Sequence, residues 1–167
     1  VPFPDYGQAT ALQQGVVDAA TGFANNEPVS LRLAGIETVV LGVPAATPLP
    51  GPGLVTARAT LAAKGPALRA FVAATLRAMD EIAADPQVGL DAAIAAVPEL
   101  GKDPATQLEI LRATIATWAS PSGASVPYGT IDAAGWAKTI AFMTKLGLVP
   151  NPVSVDNLVS SELLPKP

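Results

Sequence analysis

The amino-acid sequence predicts an α/β fold, with a β-α-β-α-β front segment followed by a mostly helical C-terminal part. Short apolar and β-branched runs alternate with brief helical patterns as far as Ala57. From Pro66 onward the spacing changes, and Leu68, Phe71, Val72, Leu76, Met79 and Ile82 recur at i, i+3, i+4 intervals. Seventeen prolines and 14 glycines punctuate the chain between these stretches.

Taken in order, Val1 to Pro4 is expected to be the end of a strand. Asp5 to Gln14 reads as a brief helix carrying Ala9, Leu12 and Gln13, with Gly15 at the left-handed cap position. Val16 to Phe23 is a nearly continuous run of small apolar residues, the pattern of a buried strand. After the polar cluster Asn25, Asn26 and Glu27, Pro28 suits a first helical turn, and Val29, Leu31 and Leu33 lead to Gly35. The β-branched stretch Thr38 to Val43 predicts a second buried strand. Four prolines between Pro44 and Pro52 cannot continue a central ladder and predict a connection, after which Gly53 to Ala57 resumes as a short strand.

The helical part begins at Pro66 and stops at Asp85-Pro86, because the residue before a proline disfavours the helical region. Gln87 to Val97 is a shorter helix. Asp103-Pro104 caps another that places Leu108, Leu111, Ile115 and Trp118 on one stripe. Ser120 to Gly129 reads as a loop. Asp132 then caps a last long helix through Ile140, Phe142, Met143 and Leu146, closed by Gly147 and followed by a proline-interrupted tail. Trp118, Trp136, Phe71 and Phe142 lie on helical stripes, where aromatic area mostly serves burial. The predicted strands are too few to cover both sheet edges, so the chain is expected to be one part of a larger fold that supplies further strands.

Composition removes several classes of function. Half of the 167 residues are hydrophobic and 14% are charged, which places the chain far from disordered sequences. A net charge of −4 and scattered basic residues argue against nucleic acid as a partner. No apolar run reaches the roughly 18 residues that span a bilayer. With neither cysteine nor histidine, thiolate nucleophiles, Cys/His zinc sites and imidazole acid–base chemistry are unavailable to this chain. No catalytic residue, metal ligand or cofactor is therefore expected.

The stretch from Gly15 to Pro28 delivers two amides and a carboxylate from a predicted strand to the start of a helix. In open α/β sheets ligands bind at the C-terminal ends of strands, and a helix start adds free N–H donors. Asn25 and Asn26 each offer a donor and an acceptor, and Glu27 accepts from ring N–H or amine groups, so the trio suits a polar heterocycle or small zwitterion. The same residues also fit a purely local role, with the asparagines making a turn and Glu27 complementing the helix dipole. Asp18, inside the apolar run, calls for a structural partner, and Asp80, Glu81 and Asp85 read as a solvated helix face.

Here the sequence resembles a known family, the ABC-importer substrate-binding proteins related to those for thiamine pyrimidine precursors, riboflavin and alkylsulfonates. The likeness lies in G-x-V-D-A-A-x-G-F-x-N-N-E-P-V-x-L at Gly15 to Leu31. It continues in the Gly51 to Ala57 strand, in LRAFVAATLRAMDEIAADP at Leu68 to Pro86, and in the segment from Gly135 to Pro165.

The resemblance implies a type 2 periplasmic-binding-protein fold whose two lobes hold a small-molecule ligand in a cleft and close by hinge motion. On this reading residues 1–43 are the latter part of lobe two, 44–57 a hinge crossing, and 58–167 the C-terminal part of lobe one with its helical flank. Asn25, Asn26 and Glu27 face the cleft, with Asp5, Tyr6 and Gln8 beside them. A missing N-terminal half and a membrane ABC permease are the implied partners, and the implied location is extracytoplasmic, periplasmic or lipid-anchored. Fungal-type pyrimidine synthases share the fold but depend on histidine, which this chain lacks. A ligand-sensing input domain on the same scaffold is the remaining alternative.

Overall fold

The computed structural model describes residues 7–43, 49–118, 126–151 and 153–165. Among them run seven α-helices: α1 (Gln8–Gln13), α2 (Glu27–Leu33), α3 (Arg58–Ala84), α4 (Pro86–Ala96), α5 (Pro104–Thr117), α6 (Ala133–Lys145) and α7 (Val155–Leu158). A 3-10 turn, Pro98–Lys102, joins α4 to α5.

The α/β expectation is not met, because no strand forms among the described residues. Val16 to Phe23 and Thr38 to Val43, expected as buried strands, are irregular and largely exposed, and Gly53 to Ala57, expected as a short strand, is irregular and exposed as well. Val16 is 65%, Val39 88% and Val55 97% accessible. A helix closes its hydrogen bonds within itself, whereas a strand exists only through a neighbour. These three segments do not pair with one another, so β propensity alone leaves them without a ladder. The expected strand end at Val1 to Pro4 lies outside the described residues.

Helix boundaries follow local chemistry closely. Asp85, Asp103 and Asp132 each cap the helix that follows, accepting from the amides of Gln87 (3.0 Å), Thr106 (3.1 Å) and Gly135 (2.9 Å). The two hydrogen bonds from Thr106, side chain and backbone, hold the Asp103 carboxyl below the usual aspartate range. At the other end of α6, Gly147 has φ +72°. Its amide reaches Thr144 O and that of Leu148 reaches Met143 O, both at 3.0 Å, which is a Schellman closure. Gly15 and Gly35 close α1 and α2 by the same pair of bonds.

α3 starts at Arg58, a full eight residues before Pro66. It is two helical pieces joined at Lys64, whose φ of −127° and ψ of 21° are not helical. The cause is Pro66, which lacks an N–H to donate to Ala62 and whose ring crowds that carbonyl. Pro66 thus lies in the first turn of the second piece rather than at the start of the helix.

The chain divides into two units, one made of Val1–Leu41 with Ala78–Val126 and the other of Gly42–Arg77 with Pro127–Pro167. In the first, α2 packs on α1 and on α5, and α4 packs on α5. Its buried apolar residues are Ala11, Val29, Leu31 and Leu90. Gly89 lets α4 approach its neighbours, since a Cβ there would stand 2.9 Å from Ile82 and 3.2 Å from Leu111. In the second unit α7 packs on α6, Arg58 donates to the Asn157 carbonyl at 3.1 Å, and Arg69 donates to the Glu162 carbonyl. Phe71, expected in a core, is 59% exposed, while Trp136 and Phe142 are half-buried.

Candidate functional site

The residues singled out by the sequence fall on the loop before α2 and on α1. Ala24 to Asn26 form a turn closed by the Asn26 amide donating to Phe23 O at 2.9 Å. Asn26 is the N-cap of α2, is exposed, and makes no side-chain capping bond. Pro28 then occupies the first turn, as its fixed φ and missing N–H favour.

Glu27 is buried, at 9% exposure, and its Oε2 accepts the Phe23 amide at 2.6 Å. The carboxylate thus folds back four residues and ties the loop down, a short charge-assisted bond. Gly22 is part of this arrangement, because a Cβ at that position would come within 2.9 Å of Glu27 Oε2. The Glu–Gly contact could be suspected from the Gly22-Phe23-x-x-x-Glu27 spacing only once the turn is known.

Asn25 is tied over a much longer range. Its Nδ2 donates to Thr114 Oγ1 at 2.8 Å, and Thr114 Oγ1 donates to Ile110 O at 2.8 Å. Sequence reasoning missed Thr114, since 89 residues separate it from Asn25 and a threonine on a helix carries no local signal. A second tie to α5 joins Arg32 of α2 to Glu109 at 3.1 Å, and Arg112 adds a 2.9 Å contact to Glu109. The Arg112 and Arg32 guanidinium groups hold the Glu109 carboxyl below the usual glutamate range.

Gln8, the first residue of α1, holds Oε1 buried and, among the described residues, without a hydrogen-bond partner. Asp5 and Tyr6 lie outside the described residues. The structure therefore places Asn25 and Asn26 on the turn before α2 and Glu27 at the first position of α2, and carries Gln8 on the helix that packs against α2. Alongside α2 runs an open groove of about 630 Å³, lined by Pro28, Arg32, Ile36 and Glu37 among others. Asp18 is exposed on the irregular segment that replaces the expected strand. Among the described residues no three His, Cys, Asp or Glu side chains gather as a metal site, and no helix is long and apolar enough to cross a membrane.

Comparison with known proteins identifies the class of protein. The chain belongs to the NMT1/THI5-like family, whose profile matches residues 1–88, and this agrees with the resemblance carried by Gly15 to Leu31. It is 32% identical over 162 residues to the riboflavin-binding protein RibY of Chloroflexus aurantiacus, covering 96% of this chain and 46% of that protein. The chain thus spans about half the length of the curated relative it matches. No solved structure matches it significantly.

Proposed function

We propose that the chain is part of the solute-binding component of an ABC importer and acts as a binding protein rather than an enzyme. It captures a small polar or heterocyclic molecule of the vitamin-precursor, flavin or sulfonate type and presents it to a membrane permease outside the cytoplasm. The observation that carries this reading is the 32% identity to a riboflavin-binding protein along almost the whole chain. The loop Asn25–Glu27 and Gln8 contribute ligand contacts, with Asp5 and Tyr6 alongside. An N-terminal half preceding Val1 supplies the rest of the cleft. The division at residues 44–57 between one lobe and the next belongs to the same proposal.

Native mass spectrometry of the protein purified without denaturation, followed by titration with riboflavin, tests the reading. A co-purified flavin or pyrimidine, or saturable quenching of flavin fluorescence, supports it. A clean apo mass together with no response to riboflavin, pyrimidine precursors or sulfonates overturns it. Where a ligand is held, Glu27→Gln weakens it by about 1–3 kcal/mol if the carboxylate accepts a buried hydrogen bond from that ligand. Unchanged affinity in titration calorimetry would leave Glu27 with its loop-closing role alone.

A further inference from the structure

We propose that residues 154–164 form a strap that splints a hinge inside α3. The strap holds the two pieces of the helix at one angle across Lys64, Gly65 and Pro66. Its release lets the first piece swing together with the irregular stretch that leads into Arg58.

The joint is soft for local reasons. Pro66 brings no N–H to the helical ladder, and Lys64, at φ −127° and ψ 21°, has already left helical geometry, so bending there breaks few of the bonds a straight helix would hold. Between them Gly65 has no heavy atom within 4 Å of where a Cβ would stand, and without a Cβ its backbone turns freely. An open hollow of about 500 Å³, lined by Gly65, Pro66, Arg69, Ala70 and Ala73, gives room for the bend.

The tail crosses this joint. On the first piece Arg58 donates to the Asn157 carbonyl at 3.1 Å, with Asn157 Oδ1 3.5 Å away. On the second piece Arg69 donates to the Glu162 carbonyl. Farther along, Leu76 and Leu164 close in on Gly129, where a Cβ would stand 3.0 Å from one and 3.1 Å from the other. Arg69 and Leu76 are two helical turns apart and share a face. Between the arginine ties the chain leaves α7 and runs extended from Val159, at φ −124° and ψ 152°. The 11 residues from Arg58 to Arg69 rise about 16 Å as helix, and the five from Asn157 to Glu162 reach about 17 Å when extended. The lengths match, so the tail spans the joint with little slack. Both ties aim a charged donor at a backbone carbonyl and lie at the surface, where single bonds are weak enough to open and close.

The chain has no cysteine, so spin labels enter at chosen sites, Ala59→Cys on the first piece and Ala74→Cys on the second, both exposed. Pulsed dipolar spectroscopy reads the distance between them, about 22 Å along a straight helix. The labelled parent should give one narrow distance distribution. Arg58→Ala should at least double its width, whereas Arg69→Ala should widen it less, because Leu76 still meets the tail near Leu164. Arg58→Lys, which keeps a donor, should stay close to the parent. Adding Pro66→Ala to Arg58→Ala restores the helical ladder and should return the narrow distribution. A broad distribution in the parent, or the parent's width in Arg58→Ala, overturns the splint. Broadening that persists with Pro66→Ala in place means general loosening rather than a hinge, and overturns it as well. If Arg58→Ala loses its helical circular dichroism, Arg69→Ala decides: a widened distribution supports the strap and the parent's width overturns it.

Discussion

Removing the Glu27 carboxylate should loosen the loop that carries the candidate site, and the size of the effect separates two physical roles. In the structure the side chain is buried and accepts the Phe23 amide at 2.6 Å. Glu27→Ala leaves that N–H without its acceptor, which costs about 1–3 kcal/mol when the group stays away from water. Glu27→Gln keeps an acceptor oxygen and gives up the charge. A charged hydrogen bond is worth about 1.5–3 kcal/mol and a neutral one about 0.5–1.5, so the loss should be near 1 kcal/mol. Were Glu27 only a complement to the helix dipole, both variants would lose the same ~0.3–1 kcal/mol. Urea denaturation of the two variants, with amide exchange at Phe23, makes the distinction. The ordering Ala below Gln below wild type, with exchange at Phe23 accelerated in Glu27→Ala, is the expected result. Equal small losses with unchanged exchange at Phe23 would refute the loop-closing role.

Two further outcomes follow from the packing and the charges. Gly89→Ala sets a helix-propensity gain of about 1 kcal/mol against overpacking that typically costs about 1–3 kcal/mol. The obstructing atoms are Ile82 Cγ1 and Cγ2, at 2.9 and 3.0 Å, and they are bonded directly to a branched Cβ with little room to swing aside, so a net loss is expected in a chemical melt. A gain in stability would mean that α3 and α4 separate freely. The Glu109 carboxyl is held low by Arg112 and Arg32, so its folded-state pKa lies below its unfolded one. Its stabilisation is fully present above the usual glutamate range and disappears as pH falls through the lowered value. The melting-temperature difference between wild type and Glu109→Gln should therefore shrink on acidification, and a constant difference would exclude the ion pairs as its source.

The legible parts of the molecule were those with local causes. Asp85, Asp103 and Asp132 announce helix starts because the acceptor and the amide it caps are two or three residues apart. Gly15, Gly35 and Gly147 announce ends because a left-handed residue is needed to close the last turn. Strands failed for the opposite reason. Val39 and Val55 have the right side chains, but a ladder requires a second strand that the pattern of one segment cannot supply. The start of α3 was missed because a proline favoured at the first turn is also tolerated after a kink, and the sequence does not distinguish them. At the site, the Asn-Asn-Glu-Pro cluster was visible as a polar group at a helix start, whereas the ties of Asn25 to Thr114 and of Arg32 to Glu109 join segments far apart in the chain.

The exposed run from Thr38 to Val43 has a consequence for the making of the protein. It holds four β-branched or leucine side chains in succession and no charge, a combination that readily templates cross-β association between copies. Glu37 stands immediately before it and Pro44 immediately after it, one repelling a stacked neighbour and the other unable to donate to it. The pair are gatekeepers. Their contribution falls in the interval between synthesis and folding, when crowding by nascent copies is the hazard.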